Sequence, residues 1–121
     1  MLFIAIILLL MIGLIHSYLG EKYLLIRLFK RTDLPKLLGS DLFTKQVLRF
    51  AWHLTTIAWW GFAAILAVLI TPSIAIKNEI LLIICMVFAL SAILSLYFAR
   101  GKHLSWLFFL IIAFAAYASV I

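Results

Sequence analysis

The hydrophobic positions of this chain fall into four long runs that are separated by polar segments. The runs cover residues 2–19, 50–70, 80–99 and 104–121. At a rise of about 1.5 Å per residue, the first run extends about 27 Å as a helix, close to the bilayer hydrocarbon thickness of roughly 30 Å. The pattern predicts an all-α polytopic membrane protein, in which four transmembrane helices form an antiparallel bundle and residues 1–121 form a single domain.

The overall composition agrees with a lipid environment. Hydrophobic residues make up 69% of the chain and charged residues only 12%, and the mean hydropathy is +1.31. Soluble globular proteins contain about 45–50% apolar residues. Lipid is therefore the expected solvent for most of this chain.

The basic residues are distributed unevenly among the connections between the runs. Of the ten Lys and Arg residues, only Lys77 lies between the second and third runs. Because positive charge marks cytoplasmic loops, we expect both other connections to be cytoplasmic and both termini to lie outside the cytoplasm. The net charge of +6 then favours anionic lipid at the cytoplasmic face, and nucleic acid is not an expected partner.

The connection between the first two runs is too long to be a featureless loop. Residues 21–31 place leucines on one side of a helix and lysines and arginines on the other, which predicts an amphipathic cytoplasmic helix at the lipid headgroups. Pro35 disfavours helix at the preceding residue. We expect a new helix to begin at about Asp41 and to run into the second span.

The three histidines are the main candidates for chemistry. Alternating helix directions would bring His16, His53 and His103 to a similar depth on the cytoplasmic side, together with Glu21 and Arg49. On the first helix, residues 9, 13, 16 and 20 share one face. In the interpretation that we favour, Glu21 and Arg49 form a structural polar pair that fixes the corner between the first two helices, and His53 bonds across the same corner.

A ligand-binding interpretation remains open beside the structural one. Neutral imidazole is a common ligand of metal ions and of haem iron. His16 and His53 could hold a haem, and His16, His53 and Glu21 could hold a metal ion, with His103 replacing one of them. Trp60 lies deeper on the face that carries His53, where its N–H needs a partner or a ligand.

Two segments resemble parts of a group of membrane proteins. The segments His16–Glu21 (HSYLGE) and Trp52–Trp60 (WHLTTIAWW) are similar to recurrent segments of uncharacterised small bacterial four-helix inner-membrane proteins. The resemblance covers most of the chain and implies a bacterial inner membrane, but no activity. In size the chain is also similar to the small multidrug-resistance transporters. Those carry a glutamate within the first helix, whereas Glu21 lies at the helix end.

Enzymatic activity is not expected from this sequence. It offers no nucleophile with a base, no carboxylate pair and no phosphate-binding glycine loop, and Cys85 is the single cysteine. Three functions remain: a non-enzymatic accessory or interaction protein for a larger membrane partner, a haem-, metal- or quinone-binding protein that uses His16 and His53, and a homodimeric small-solute transporter. We favour the first.

Overall fold

The computed structural model describes all of residues 1–121 as helices joined by turns, without strands. The four helices, in chain order, are α1 (Leu2–Leu28), α2 (Asp41–Ile70), α3 (Ile76–Ala99) and α4 (Ser105–Ala118). The all-α prediction is thus confirmed.

Three of these helices, α1, α2 and α3, are long and apolar enough to cross a membrane, where four were expected. The last apolar run forms a helix of only 14 residues, about 21 Å long. This helix begins one residue after the start of the predicted run at Leu104 and ends three residues before Ile121. Arg100 and Gly101 adopt left-handed backbone angles, with φ of 49° and 76°, and the chain does not resume a helix before Ser105.

Helix α1 continues through the segment for which a separate surface helix was predicted. Gly20 keeps helical backbone angles, and residues Gly20–Leu25 form a π-helical turn in which the N–H of Ile26 donates to the carbonyl of Glu21. A π turn accommodates one extra residue within an α-helix. The basic segment up to Leu28 is therefore an extension of the first apolar helix.

Helix α2 begins at Asp41, as the sequence predicts. The hydroxyl of Ser40 accepts a hydrogen bond from the N–H of Phe43, which satisfies one of the free donors at the helix start. Thr44 is 95% buried, and its hydroxyl donates to the carbonyl of Pro35 in the preceding connection. These bonds fix the connection to the first turn of α2.

The helices pack in an open row. Contacts join α1 to α2, α2 to α3 and α3 to α4, and no other pair of these helices is in contact. Small residues mediate the last two contacts: Gly61 lies against Val87, and the hydroxyl of Ser95 is 2.6 Å from that of Ser105. Since α1 touches neither α3 nor α4, the four helices do not enclose a central lumen.

Candidate functional site

Helices α1 and α2 approach closely because two glycines of α1 lie against indole rings of α2. A Cβ atom on Gly13 would overlap the ring of Trp60, and a Cβ atom on Gly20 would overlap the ring of Trp52. From Gly13 to Gly20 along α1, the contacted residue of α2 changes from Trp60 back to Trp52. These two helices therefore run in opposite directions along their contact.

A polar cluster forms at the end of this contact, where Glu21 meets Arg49 and His53. Arg49 Nη2 lies 2.6 Å from Glu21 Oε1, and Arg49 Nε donates to Glu21 Oε2 at 3.2 Å. The same Oε2 is 3.2 Å from His53 Nε2. The three side chains are between 21% and 32% exposed, so the ion pair is partly shielded from water. One carboxylate thus binds the side chains of both Arg49 and His53.

The cluster extends along the helix contact through two hydroxyl groups. His53 Nδ1 is 2.9 Å from the hydroxyl of Ser17, which is 2.8 Å from the hydroxyl of Thr56. Thr56 Oγ1 is in turn 3.3 Å from the carbonyl oxygen of Gly13. Every buried side-chain nitrogen and oxygen has a hydrogen-bond partner. The result is a continuous hydrogen-bonded chain from Glu21 to the backbone of α1.

The protons of this hydrogen-bonded chain can be arranged in two ways, depending on the protonation of His53. With a protonated His53, both ring nitrogens donate, so Ser17 donates to Thr56 and Thr56 donates to the carbonyl of Gly13. With a neutral ring protonated at Nε2, Ser17 donates to His53, Thr56 donates to Ser17, and that carbonyl loses its side-chain donor. Protonation of the imidazole therefore reverses the direction of the hydroxyl bonds.

His16 lies beside the cluster but makes different contacts. Its ring stacks on Trp52 with centroids 4.4 Å apart and meets the edge of Trp59 at 4.9 Å. The hydroxyl of Thr55 donates to the carbonyl of Trp52, so His16 Nε2 is the donor in its 2.8 Å bond to Thr55. The side chain of His16 is thereby directed to α2 residues other than His53.

The predicted ligand sets are brought together only in part. Glu21 and His53 meet, whereas the ring of His16 is stacked and hydrogen-bonded elsewhere. No group of three His, Cys, Asp or Glu side chains has the arrangement of a metal site. The geometry therefore offers Glu21 and His53 as one polar unit, without His16 as a third ligand.

His103 belongs to a separate contact near the start of α4. Its Nδ1 accepts a hydrogen bond from the backbone N–H of Ser105 and lies 2.8 Å from the hydroxyl of that residue. The His103 and Phe50 rings meet edge to face, with centroids 5.2 Å apart. The centroid of the Phe43 ring lies 6.4 Å from that of the His103 ring. This histidine joins the turn before α4 to the first part of α2, apart from the Glu21 cluster.

Trp60 lies between helix α1 and an apolar groove that runs between α2 and α3. Its Nε1 donates to the carbonyl of Leu10 on α1 at 3.4 Å, while its ring also lines the groove. The groove has a volume of about 560 Å³ and is lined by 11 residues, 10 of them hydrophobic. Trp60 thus needs no ligand to satisfy its N–H.

Ser17 belongs to the polar cluster but was not among the residues predicted from the sequence. The pattern that could have identified it is the four-residue interval of Gly13, Ser17 and Glu21, which places all three on one face of α1. His16 is one position before Ser17, about 100° away around the helix. That rotation directs the two neighbouring side chains to different sides of α2.

A comparison of the chain with protein-family models, curated proteins and solved structures finds no match.

Proposed function

We propose that this chain is an integral protein of a bacterial inner membrane that crosses the bilayer four times, with helices of alternating direction. Three helices that are long and apolar enough to span support this topology. Helix α4 is about 21 Å long and would need its apolar flanks, Leu104 and Val120–Ile121, to reach across. Nine of ten basic residues then lie on the cytoplasmic side, opposite both termini.

Single-cysteine labelling tests this topology in intact cells. In a Cys85→Ser background, cysteines at Ile74 and Ile121 should react with an impermeant maleimide, whereas a cysteine at Lys102 should react only after the membrane is permeabilised. A cysteine at Ile121 that behaves like the one at Lys102 would show that α4 does not cross.

Within this membrane setting, the protein acts as a non-enzymatic accessory protein that binds a larger membrane-embedded partner. The observation that carries this proposal is the open row of helices, because α1 and α4 each contact only one neighbour. Exposed large hydrophobic side chains continue along both end helices, among them Leu8 at 58% and Phe114 at 71%. The Glu21 cluster supports a structural role, since the carboxylate of Glu21 binds Arg49 and His53 of the same chain.

Site-specific photocrosslinking tests the accessory role in native membranes. A photoreactive residue at Leu8 or Phe114 should yield one discrete adduct heavier than two copies of the chain. Leu25, which is 98% buried, provides the matched control and should give no such adduct. Adducts only to lipid, or only at the mass of a homodimer, would contradict the proposal.

A further inference from the structure

We infer that the groove between α2 and α3 is a binding site for one acyl chain of an anionic phospholipid, whose headgroup lies beside Arg100 and Lys102. The inference rests on the proposed orientation in the membrane and adds a specific ligand to it. The groove is lined by Ile57, Gly61 and Ala64 of α2 and by Ile83, Leu90 and Tyr97 of α3, among others.

The dimensions of the groove fit a hydrocarbon chain. From Ile83 to Tyr97 the wall formed by α3 covers 15 residues and extends about 21 Å at the rise of an α-helix. Dividing 560 Å³ by this length gives a mean cross-section of about 27 Å². A single extended hydrocarbon chain therefore fits lengthwise in the groove between α2 and α3.

The walls of the groove select for an apolar occupant. Gly61 lies against Val87, so the two helices are in close contact at this level and the groove is a shallow channel along their line of contact. The N–H of Trp60 is already bonded to α1. Tyr97 is 75% exposed and carries the polar group nearest to the basic end. A polar ligand would find few hydrogen-bond partners along this channel.

Net positive charge favours an anionic headgroup at the Tyr97 end, because the sequence at the other end carries Lys77 together with Glu79. Tyr97 lies one turn before Arg100, and Arg100 and Lys102 are exposed and form no ion pair. The opposite end, near Ile83, is closer to the connection that contains Lys77. A phosphate at the Tyr97 end would therefore meet unpaired positive charge, with an expected gain of about fivefold in affinity for each cation.

Quenching of tryptophan fluorescence by brominated lipid tests this site, because Trp60 lines the groove. The protein is reconstituted in mixed vesicles in which either a minor fraction of phosphatidylglycerol or the same fraction of phosphatidylcholine carries brominated acyl chains. The quenching that depends on Trp60 is taken as the difference between the wild type and Trp60→Phe. Brominated phosphatidylglycerol should quench this component several-fold more strongly.

Matched variants separate the chain site from the headgroup site. Ala64→Phe fills the groove and should abolish the preference, whereas Ala67→Phe, at an exposed position one turn further along α2, should retain it. Arg100→Gln with Lys102→Gln should weaken it, and Lys77→Gln should not. Native mass spectrometry of the wild type should show one retained phosphatidylglycerol, which provides a test that needs no groove variant.

Several outcomes would overturn the inference. Equal quenching by the two brominated lipids would show bulk lipid contact only. Quenching that disappears as the protein-to-lipid ratio rises would show that a second copy covers the groove. Maleimide labelling of the same vesicles reports orientation independently, so that a failure of the lipid site is distinguishable from a failure of the proposed topology.

Discussion

Replacing Gly20 by alanine is the most direct test of the contact between α1 and α2. In an ordinary helical position this substitution is stabilising, by about 1 kcal/mol, because alanine is the better helix former. Here the added methyl group would overlap three atoms of the Trp52 indole, so the ring must move. Displacement of the ring removes its stacking on His16 and its hydrogen bond of 3.1 Å to the carbonyl of His16.

The expected size of the effect follows from these contacts. Loss of the stack and of the hydrogen bond costs about 1 kcal/mol each, and residual crowding costs about 1 kcal/mol more. After the helix-propensity gain, Gly20→Ala should reduce the free energy of unfolding by about 2 kcal/mol. In a Trp52→Leu background the overlap is relieved, and the same substitution should stabilise by up to about 1 kcal/mol.

Reversible unfolding in mixed detergent micelles would measure all four members of this double-mutant cycle. The expected coupling between positions 20 and 52 is about 3 kcal/mol, which is large enough to exceed the experimental scatter of such cycles. Equal effects of Gly20→Ala in both backgrounds would refute the close approach of the helices at this point.

Two further predictions concern charged groups. Glu21→Gln leaves the guanidinium of Arg49 without its counter-charge. Both side chains are about one third exposed, so we expect a loss of about 2 kcal/mol in unfolding free energy, between the values for surface and buried ion pairs. Glu79→Gln, outside the cluster, should change the unfolding free energy little, and equal losses in the two variants would contradict a stabilising role for the Glu21–Arg49 pair. The hydrogen bond from Arg31 holds the pKa of Asp33 below its usual value, so NMR titration should show this contact present at neutral pH and released as the pH falls through that lowered pKa. The free energy of unfolding should change little, because both side chains are more than 60% exposed.

Much of the fold follows from patterns that are local in the sequence. The start of α2 at Asp41 is predictable because a serine precedes it and can cap the helix. The apolar runs predict the helices, because the length of an apolar run and the rise of an α-helix together determine whether a segment can span the bilayer. The ends of α4 were harder to predict, because the helix stops at Ala118 although the predicted run continues to Ile121.

The candidate site was harder to predict because it depends on rotation about each helix axis. A difference of one position between His16 and Ser17 decides which of them meets His53. The depth of each residue along its helix, as read from the sequence, predicts that the three histidines lie at one level, but it does not set the directions of their side chains. The π turn at Gly20–Leu25, which contains Glu21, also changes the rotation of the following residues about the axis of α1. No residue type in that segment predicts this turn.

The serial arrangement of the helices has a consequence for biogenesis. Each helix packs only on its predecessor and successor, so every interhelical contact is complete as soon as the second of two adjacent segments has left the ribosome. Chains whose contacts are close in sequence pay little loop-closure entropy and assemble rapidly. Synthesis can therefore add helices one at a time to an already ordered edge, without waiting for the C-terminal segment to close a ring.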